Sequence, residues 1–148
     1  MLAPLRLARL QKRVGGNWRF GDLSEGEVAS LGWACEASAL VEAAEQAGTR
    51  VRVLDFERFL AKPHDSLEPV FGHFNAAADA REIAAILSGP EMMTYSKAPE
   101  FSYDLQLRRS VLDQGRRLYA DEIHRGLLWL DRAAHEQQSI GRAFALFQ

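Results

Sequence analysis

The sequence predicts a mainly α-helical chain with one β-strand. Over most of its length, apolar residues recur at three- and four-residue steps, which is the period of a helix. One run, from Arg50 to Phe56, follows the two-residue period of a strand. A chain of 148 residues suffices for one domain with a core and is short for two. We therefore expect a single domain, with a helical arm and loop over 1–22, a main region over 23–136 and a tail over 137–148.

Two helices are predicted before the strand. The first covers residues 4–14 and places three apolar side chains on one face. These are Leu7, Leu10 and Val14. The second covers about 25–47, begins with a capping box formed by Ser24 and Glu27, and ends at Gly48. Its predicted buried face is rich in alanine. It consists of Trp33, Ala37, Leu40, Ala44 and Ala47.

The predicted strand has the pattern of an inner strand of a parallel sheet. Val51 and Val53 alternate with arginines, while Leu54 and Phe56 are apolar on the second face, so the end of the strand is expected to be buried on both sides. A lone strand leaves two rows of backbone groups unpaired. Either its partner strands come from elsewhere, or the segment is not a strand.

Helices are also predicted after the strand. A short one runs from Phe56 to Ala61 and ends before Pro63. Asp65 or Ser66 is expected to cap the next one, and a further apolar pattern covers residues 80–87. The loop over 90–102 leads to a helical pattern that reaches about residue 136, with a kink or break expected at Gly115. The buried face of this last helix is predicted to contain Tyr119, Ile123, Leu127, Leu130 and Ala134.

The composition excludes several function classes. A net charge of −2 gives no electrostatic case for nucleic-acid binding, and no apolar run is long enough for a membrane span. The single Cys35 excludes an internal disulfide framework, so a reducing cytoplasm is expected and the cysteine is interpreted as a small core residue. Arg-rich residues 1–21 leave open a transit peptide or a membrane-surface helix, although Trp18 and Phe20 favour docking on the domain.

The charged side chains do not form a catalytic or metal pattern. The spacing of the four histidines fits no metal site. Five arginines between residues 108 and 125 resemble a basic stripe, but acidic residues stand four positions from them, as in Asp104–Arg108 and Asp121–Arg125. A solvated face with ion pairs within the helix is therefore the better account. No catalytic residue is assigned.

The loop before the last helical region carries the best candidate binding group. Lys97 offers an ammonium charge, and Tyr95 and Ser96 offer hydroxyls, a combination suited to a phosphate oxygen. Pro99 holds the loop with little entropic cost. The alternative is an exposed lysine in a structural loop.

An ordered set of motifs runs along the chain. The set begins with Leu-Ser-x-x-Glu at residues 23–27 and an internal Trp33. It continues with the strand, the aromatic–Glu pair Phe56-Glu57, a short helix and a proline. It ends with Tyr-Ser-Lys-Ala-Pro-Glu at 95–100 and Tyr-Asp-x-x-Leu-Arg at 103–108. This ordered set resembles the carboxyl-terminal portion of a bacterial sulfotransferase family with a P-loop-like α/β fold, and the similarity covers about residues 20–132.

The resemblance implies a cofactor and a reaction. Complete relatives transfer a sulfuryl group from 3′-phosphoadenosine 5′-phosphosulfate to an acceptor hydroxyl or amine, with stabilisation of charge as in phosphoryl transfer. It implies that Tyr95, Ser96 and Lys97 face the binding cleft. It also puts Phe56 where relatives often have a tyrosine near the cofactor, although a core aromatic at a strand end is the alternative. Glu57 is interpreted as a structural residue.

Two functions are compatible with this sequence. The first is a sulfotransferase-family chain shortened at its amino end, because no strand–Gly/Ser–helix unit for the 5′-phosphosulfate precedes residue 24. The isolated chain is then expected to be inactive. The second is a non-catalytic helical interaction or assembly module, which self-associates or binds a sheet-bearing partner through the strand from Arg50 to Phe56.

Overall fold

Eight α-helices account for most of the computed structural model, which describes residues 3–95, 98–102 and 105–146. The prediction of a mainly α-helical chain is therefore confirmed. The helices are α1 (Ala3–Val14), α2 (Glu25–Ala47), α3 (Phe56–Ala61), α4 (Pro63–His73), α5 (Ala80–Leu87), α6 (Leu105–Leu118), α7 (Ala120–Glu136) and α8 (Gln138–Leu146). No helix in the described ranges combines the length and apolar character needed to cross a bilayer.

The chain divides into two compact units. The first combines the residues up to Gly48 with those from Leu112 onward, and the second runs from Thr49 to Val111. We call them the terminal unit and the central unit. The subdivision at residues 22 and 136 expected from the sequence stays a prediction.

The core of the terminal unit forms around α2, which packs against α1, α7 and α8. Leu7 and Leu10 of α1 are buried, as the sequence predicts, and Trp18 packs on Trp129 with ring centroids 5.3 Å apart. The segment predicted as a tail contains α8, whose Ile140 is fully buried. The buried residues of this core are Leu7, Leu10, Leu31, Ala34, Cys35, Trp129, Leu130, Ala133 and Ile140.

The predicted beginning of α2 is confirmed, and its predicted buried face is confirmed at Ala37 and wrong at Leu40. The Ser24 hydroxyl accepts from the Glu27 N–H at 3.4 Å, and the Ser24 N–H donates to the Glu27 carboxylate at 2.9 Å. After the last turn Gly48 has a positive φ of 58°. Leu40 is mostly exposed, and the buried side is instead formed by Leu31, Ala34, Cys35, Ala37, Ser38 and Val41. Small apolar residues surround this helix on several sides, so their spacing alone does not select one face.

The close crossing of α2 and α7 depends on two glycines. A Cβ atom on Gly26 would stand 1.8 Å from the Glu122 backbone oxygen, and one on Gly126 would stand 2.5 Å from the Gly26 oxygen. The Gly26 N–H, which belongs to the first turn of α2, donates to the Glu122 carboxylate at 2.8 Å. Glu122 therefore satisfies a backbone donor that the helix itself leaves unpaired.

The predicted long helix after residue 102 is two helices, and the break lies at Tyr119 rather than at Gly115. Tyr119 has φ −115° and ψ 25°, outside helical geometry, while its N–H still bonds the Gly115 carbonyl at 3.0 Å. The predicted buried face is confirmed at Leu130. It is wrong at Tyr119, Ile123 and Leu127, which are exposed because the buried side of α7 is the one that faces α2.

The strand predicted from Arg50 to Phe56 is not formed. Residues 51–55 contain no helix, turn or bend, and they pair with no strand in the described part of the chain. A strand forms only where a second row of backbone groups lies alongside, and no described strand lies alongside residues 51–55. Val51, Val53, Leu54 and Phe56 are consequently exposed, although their pattern predicts burial on both sides.

The rest of the central unit contains the helices α3, α4 and α5, the first residues of α6 and one short strand pair. The helix α3 has the predicted bounds, but α4 begins at Pro63 rather than after Asp65 or Ser66, because proline fits the first helical position. Asp79 and Glu82 form a second capping box at the start of α5. The strands Thr94–Tyr95 and Ala98–Ser102 pair antiparallel, with a register shift between their two paired positions.

A Gly26→Ala substitution tests the crossing of α2 and α7. We expect it to lower the free energy of unfolding by about 1–3 kcal/mol, because the methyl group would overlap the Glu122 backbone. Gly115→Ala is the matched control, since nothing lies within 4 Å of the added Cβ and alanine favours the α6 helix. Urea denaturation measures both. Equal stability of the two variants would contradict this packing.

The acid stability of the terminal unit is expected to depend on Glu122. The hydrogen bond from the Gly26 N–H, assisted by Ser24 and Arg125, holds the pKa of Glu122 below its ordinary value. A lowered folded-state pKa contributes stability above the unfolded pKa of about 4.3, and this contribution is lost as the pH falls through the folded value. Glu122→Gln should therefore flatten the fall in melting temperature between about pH 6 and pH 3. Glu136→Gln, an exposed acid late in α7, should leave the parent's slope unchanged.

Candidate functional site

The first turn of α3 holds two of the motif residues in fixed positions. Asp55 is the N-cap of this helix, and its carboxylate accepts from the Arg58 N–H. Phe56 and Glu57 follow directly and occupy the first two helical positions. Because the cap stabilises the helix start, the sequence Asp55-Phe56-Glu57 sets the direction of both side chains.

Glu57 pairs with Arg108 in a two-point contact that links α3 to α6. The Arg108 Nη1 donates to the Glu57 Oε2 at 3.2 Å, and its Nη2 donates to Oε1. The two residues are 51 positions apart in the sequence and both belong to the central unit. The planar guanidinium fits a carboxylate in this bidentate arrangement, which fixes geometry as well as charge.

The ring of Phe56 completes what we call the Phe56–Glu57–Arg108 cluster. The guanidinium carbon of Arg108 stands 5.7 Å from the centre of this ring, within the range of a cation–π contact. Phe59 stacks on the same residue with ring centroids 6.3 Å apart. Phe56 nevertheless remains 57% exposed, so the core-aromatic interpretation of this residue is wrong.

The cluster presents an aromatic surface beside a paired carboxylate and guanidinium. The arginine charge lies against a carboxylate, so the pair presents little net charge to a phosphate. The exposed aromatic ring offers apolar and stacking surface, with no hydroxyl or other donor. The cluster can thus contact a planar or apolar group through the ring of Phe56.

The structure leaves the predicted phosphate-binding loop untested. Ser96 and Lys97 lie outside the described residues, and the backbone of Tyr95 ends the first of the two paired strands. Of the four predicted binding residues, Phe56 is the one whose surroundings are described. The grouping of Tyr95, Ser96 and Lys97 around a phosphate oxygen stays a prediction.

The pairing of Arg108 with Glu57 was missed because the sequence favoured local partners. Asp104, the predicted partner, lies outside the described residues. Two other arginines bond acids three positions away rather than four, in the pairs Asp113–Arg116 and Glu122–Arg125. Spacing finds pairs within one helix, whereas a partner 51 residues away leaves no periodic signal. The sequence signal that could have indicated this pair is that Phe56-Glu57 and Leu107-Arg108 belong to the same motif set.

The extended segment beside α3 is a second feature with unmet bonding capacity. No backbone group of residues 51–54 bonds another backbone group in the described ranges. The Arg50 carbonyl, directly before them, lies 3.3 Å from the Nε2 atom of His73. Open backbone groups next to exposed valine and leucine side chains are the chemical features of an unpaired strand edge.

An open cleft in the terminal unit is a poor nucleotide site. Its volume is about 210 Å³, and it is lined by Glu27, Arg125, Leu128, Asp131 and Arg132. Arg132 already lies 3.6 Å from Glu27, and Arg125 lies 3.4 Å from Glu122, so acids neutralise the cationic lining. Ligand pockets are typically larger, at about 300–1,000 Å³.

Comparison with known proteins provides no assignment. No protein-family model matches the chain, no curated protein matches it, and no solved structure matches it. The site therefore has to be interpreted from its own geometry and from the motif set.

A double-mutant cycle on Glu57 and Arg108 tests whether the cluster holds the central unit together. We expect Glu57→Gln, Arg108→Ala and the double variant to give a coupling energy of about 0.5–1 kcal/mol, since the pair is partly exposed. Arg109→Ala, at the neighbouring exposed position of α6, serves as the control. Coupling that is absent for Arg108, or as large for Arg109, would contradict the assigned contact.

Proposed function

We propose that this chain is the carboxyl-terminal portion of a sulfotransferase-family protein whose complete relatives use 3′-phosphoadenosine 5′-phosphosulfate. The supporting observation is the Phe56–Glu57–Arg108 cluster. It joins the aromatic–Glu motif at the start of α3 to the Leu-Arg motif of α6, so two distant parts of the motif set form one structural unit. Motifs that belong to one fold are expected to meet in this way, whereas chance matches have no reason to do so.

The proposed contacts with the nucleotide divide between Phe56 and the loop at residues 95–97. The exposed ring of Phe56 offers a stacking surface for an adenine base, and Lys97 with the hydroxyls of Tyr95 and Ser96 offers donors for a phosphate. A lysine is suited to this task because its ammonium is a compact charge with three donors.

Sulfuryl transfer requires a second set of groups that we do not assign here. Relatives bind the 5′-phosphosulfate with a strand, a Gly/Ser loop and the start of a helix, which together aim backbone N–H groups at the anion. Described residues 3–23 form α1, an irregular segment and a single 3₁₀ turn, with no strand. Under this proposal the chain binds nucleotide weakly by itself and is inactive without such a loop, and its compartment is the cytoplasm.

The second candidate function is a helical interaction or assembly module without catalysis. The unpaired segment of residues 51–54 favours it, because open backbone groups and exposed apolar side chains occur together there. The same segment fits the first proposal, since an inner strand of a parallel sheet carries apolar residues on both faces. The two functions differ in whether nucleotide binds.

A thermal-shift titration with 3′-phosphoadenosine 5′-phosphate tests the first proposal. A ligand that binds only the folded chain raises the melting temperature progressively once its concentration exceeds Kd. We expect such a rise at millimolar nucleotide, and we expect Lys97→Ala and Phe56→Ala each to reduce it. A flat response, with no difference from adenosine alone, would remove the support for the enzyme family.

Two controls separate binding from folding in this titration. Lys62→Ala removes an exposed lysine next to α3 and should leave the nucleotide response unchanged. Circular dichroism of Phe56→Ala without ligand should show the helical content of the parent, because the side chain is largely exposed. Nucleotide binding that persists in Lys97→Ala would show that the loop assignment is wrong even if the family is right.

A further inference from the structure

We propose that α6 (Leu105–Leu118) lies on anionic membrane surfaces as an interfacial amphipathic helix. The inference goes beyond both proposed functions and requires neither nucleotide binding nor assembly. It starts from a helix that the fold leaves uncovered. None of the described side chains of α6 is buried, and α6 packs extensively against no other helix or strand in the described ranges. A helix normally covers its apolar face in a core, so an uncovered apolar face is a candidate binding surface.

An apolar stripe runs along α6. Leu107, Val111 and Leu118 follow one another at steps of four and seven residues, so they fall within about 40° of one another around the helix. Their exposed fractions are 59%, 57% and 68%. The stripe is about 17 Å long at the rise of an α-helix. Because α6 is one uninterrupted helix, this alignment does not depend on how the two units are arranged.

The polar side chains of α6 are mainly basic. Four of its fourteen residues are arginines, and Asp113 is its single acid. Acids neutralise two of the arginines, whereas Arg109 and Arg117 form no ion pair within the described ranges. Arg117 borders the apolar stripe, at about 100° from its centre. A stripe of large aliphatic side chains with arginines on the polar side is the pattern of helices that lie in the membrane interface.

The helix α1 (Ala3–Val14) provides a comparison, because it is also basic and amphipathic. Its apolar side is occupied, since Leu7 and Leu10 are buried in the core of the terminal unit. The membrane-surface role that the sequence leaves open for residues 1–21 therefore fits α6 better than α1. Exposure of the apolar side, rather than composition, distinguishes the two helices.

The charge of α6 favours an anionic lipid surface over other partners. A second copy of α6 would bring arginines close to arginines, and neighbouring like charges are destabilising. A protein groove would enclose much of the helix, whereas the Arg108 side is already held by Glu57 of α3. A flat membrane needs one side only, and the anionic lipids of a cytoplasmic leaflet attract basic residues within about 8 Å. This attraction is local, so the net charge of −2 for the whole chain does not oppose it.

Co-sedimentation of the full chain with lipid vesicles tests this proposal. We expect the chain to bind vesicles of phosphatidylcholine with about 30 mol% phosphatidylserine, and to bind pure phosphatidylcholine about tenfold more weakly. Salt at about 0.5 M should weaken the binding to anionic vesicles, because it screens the arginine charges. A chain that stays in the supernatant with anionic vesicles would overturn the proposal and favour an acidic protein partner. Equal binding to both kinds of vesicle would also overturn it.

Two matched pairs of variants locate the binding on α6. Leu118→Ser should weaken binding about tenfold because it removes a leucine from the stripe, whereas Leu40→Ser, at a 61% exposed position of α2, should leave binding unchanged. Arg117→Gln should weaken binding about threefold or more, whereas Arg9→Gln, at an exposed position of α1, should leave it unchanged.

Melting curves of each variant separate loss of binding from loss of folding. Val111→Ser, in the middle of the stripe, repeats the test if Leu118→Ser unfolds early. Equal effects within either matched pair would overturn the assignment to α6. None of these results bears on the nucleotide titration, because Phe56 and Lys97 are unchanged in every variant.

Discussion

The terminal unit depends on the direct approach of two backbones at Gly26 and Gly126. No side chain larger than hydrogen fits at Gly26, where a Cβ would lie 1.8 Å from a backbone oxygen of α7. This approach brings Glu122 to the first turn of α2, and it places Trp129, Leu130 and Ala133 in the core. Close-packed interiors transmit such a constraint, because side chains that fill one separation leave voids or overlaps at another.

The central unit is stabilised mainly by helix caps and an ion pair rather than by a hydrophobic core. Among the described residues of this unit, Ile83 and Ser66 are buried, and many large apolar side chains stay exposed. Caps at Asp55 and Asp79 and the Glu57–Arg108 pair therefore carry more of its order than a core does. Such contacts contribute about 1 kcal/mol each, whereas burial of one large side chain contributes about 1.5–3 kcal/mol. The central unit is accordingly expected to be the less stable of the two.

The sequence predicted what local chemistry decides and failed where a distant partner decides. The capping box of Ser24 and Glu27 and the end of α3 before Pro63 follow from neighbours within one turn. The buried face of α2, the break at Tyr119 and the partner of Arg108 depend on elements far along the chain. Of the candidate site, Phe56 was named in advance, and its exposure and the contact with Arg108 were not.

The failed strand is the most informative of these errors, because the pattern and the structure disagree about the same atoms. Val51, Val53 and Leu54 have the order of residues buried on two sides, yet the described residues leave each of them 43–47% exposed. Local preference and global environment agree in a stable fold, and conflicts between them are typical of functional or strained sites. The exposed Tyr119, Ile123 and Leu127 of α7 repeat that conflict in the terminal unit. Both units therefore carry apolar side chains that the described residues leave exposed, as the assembly role proposed above requires.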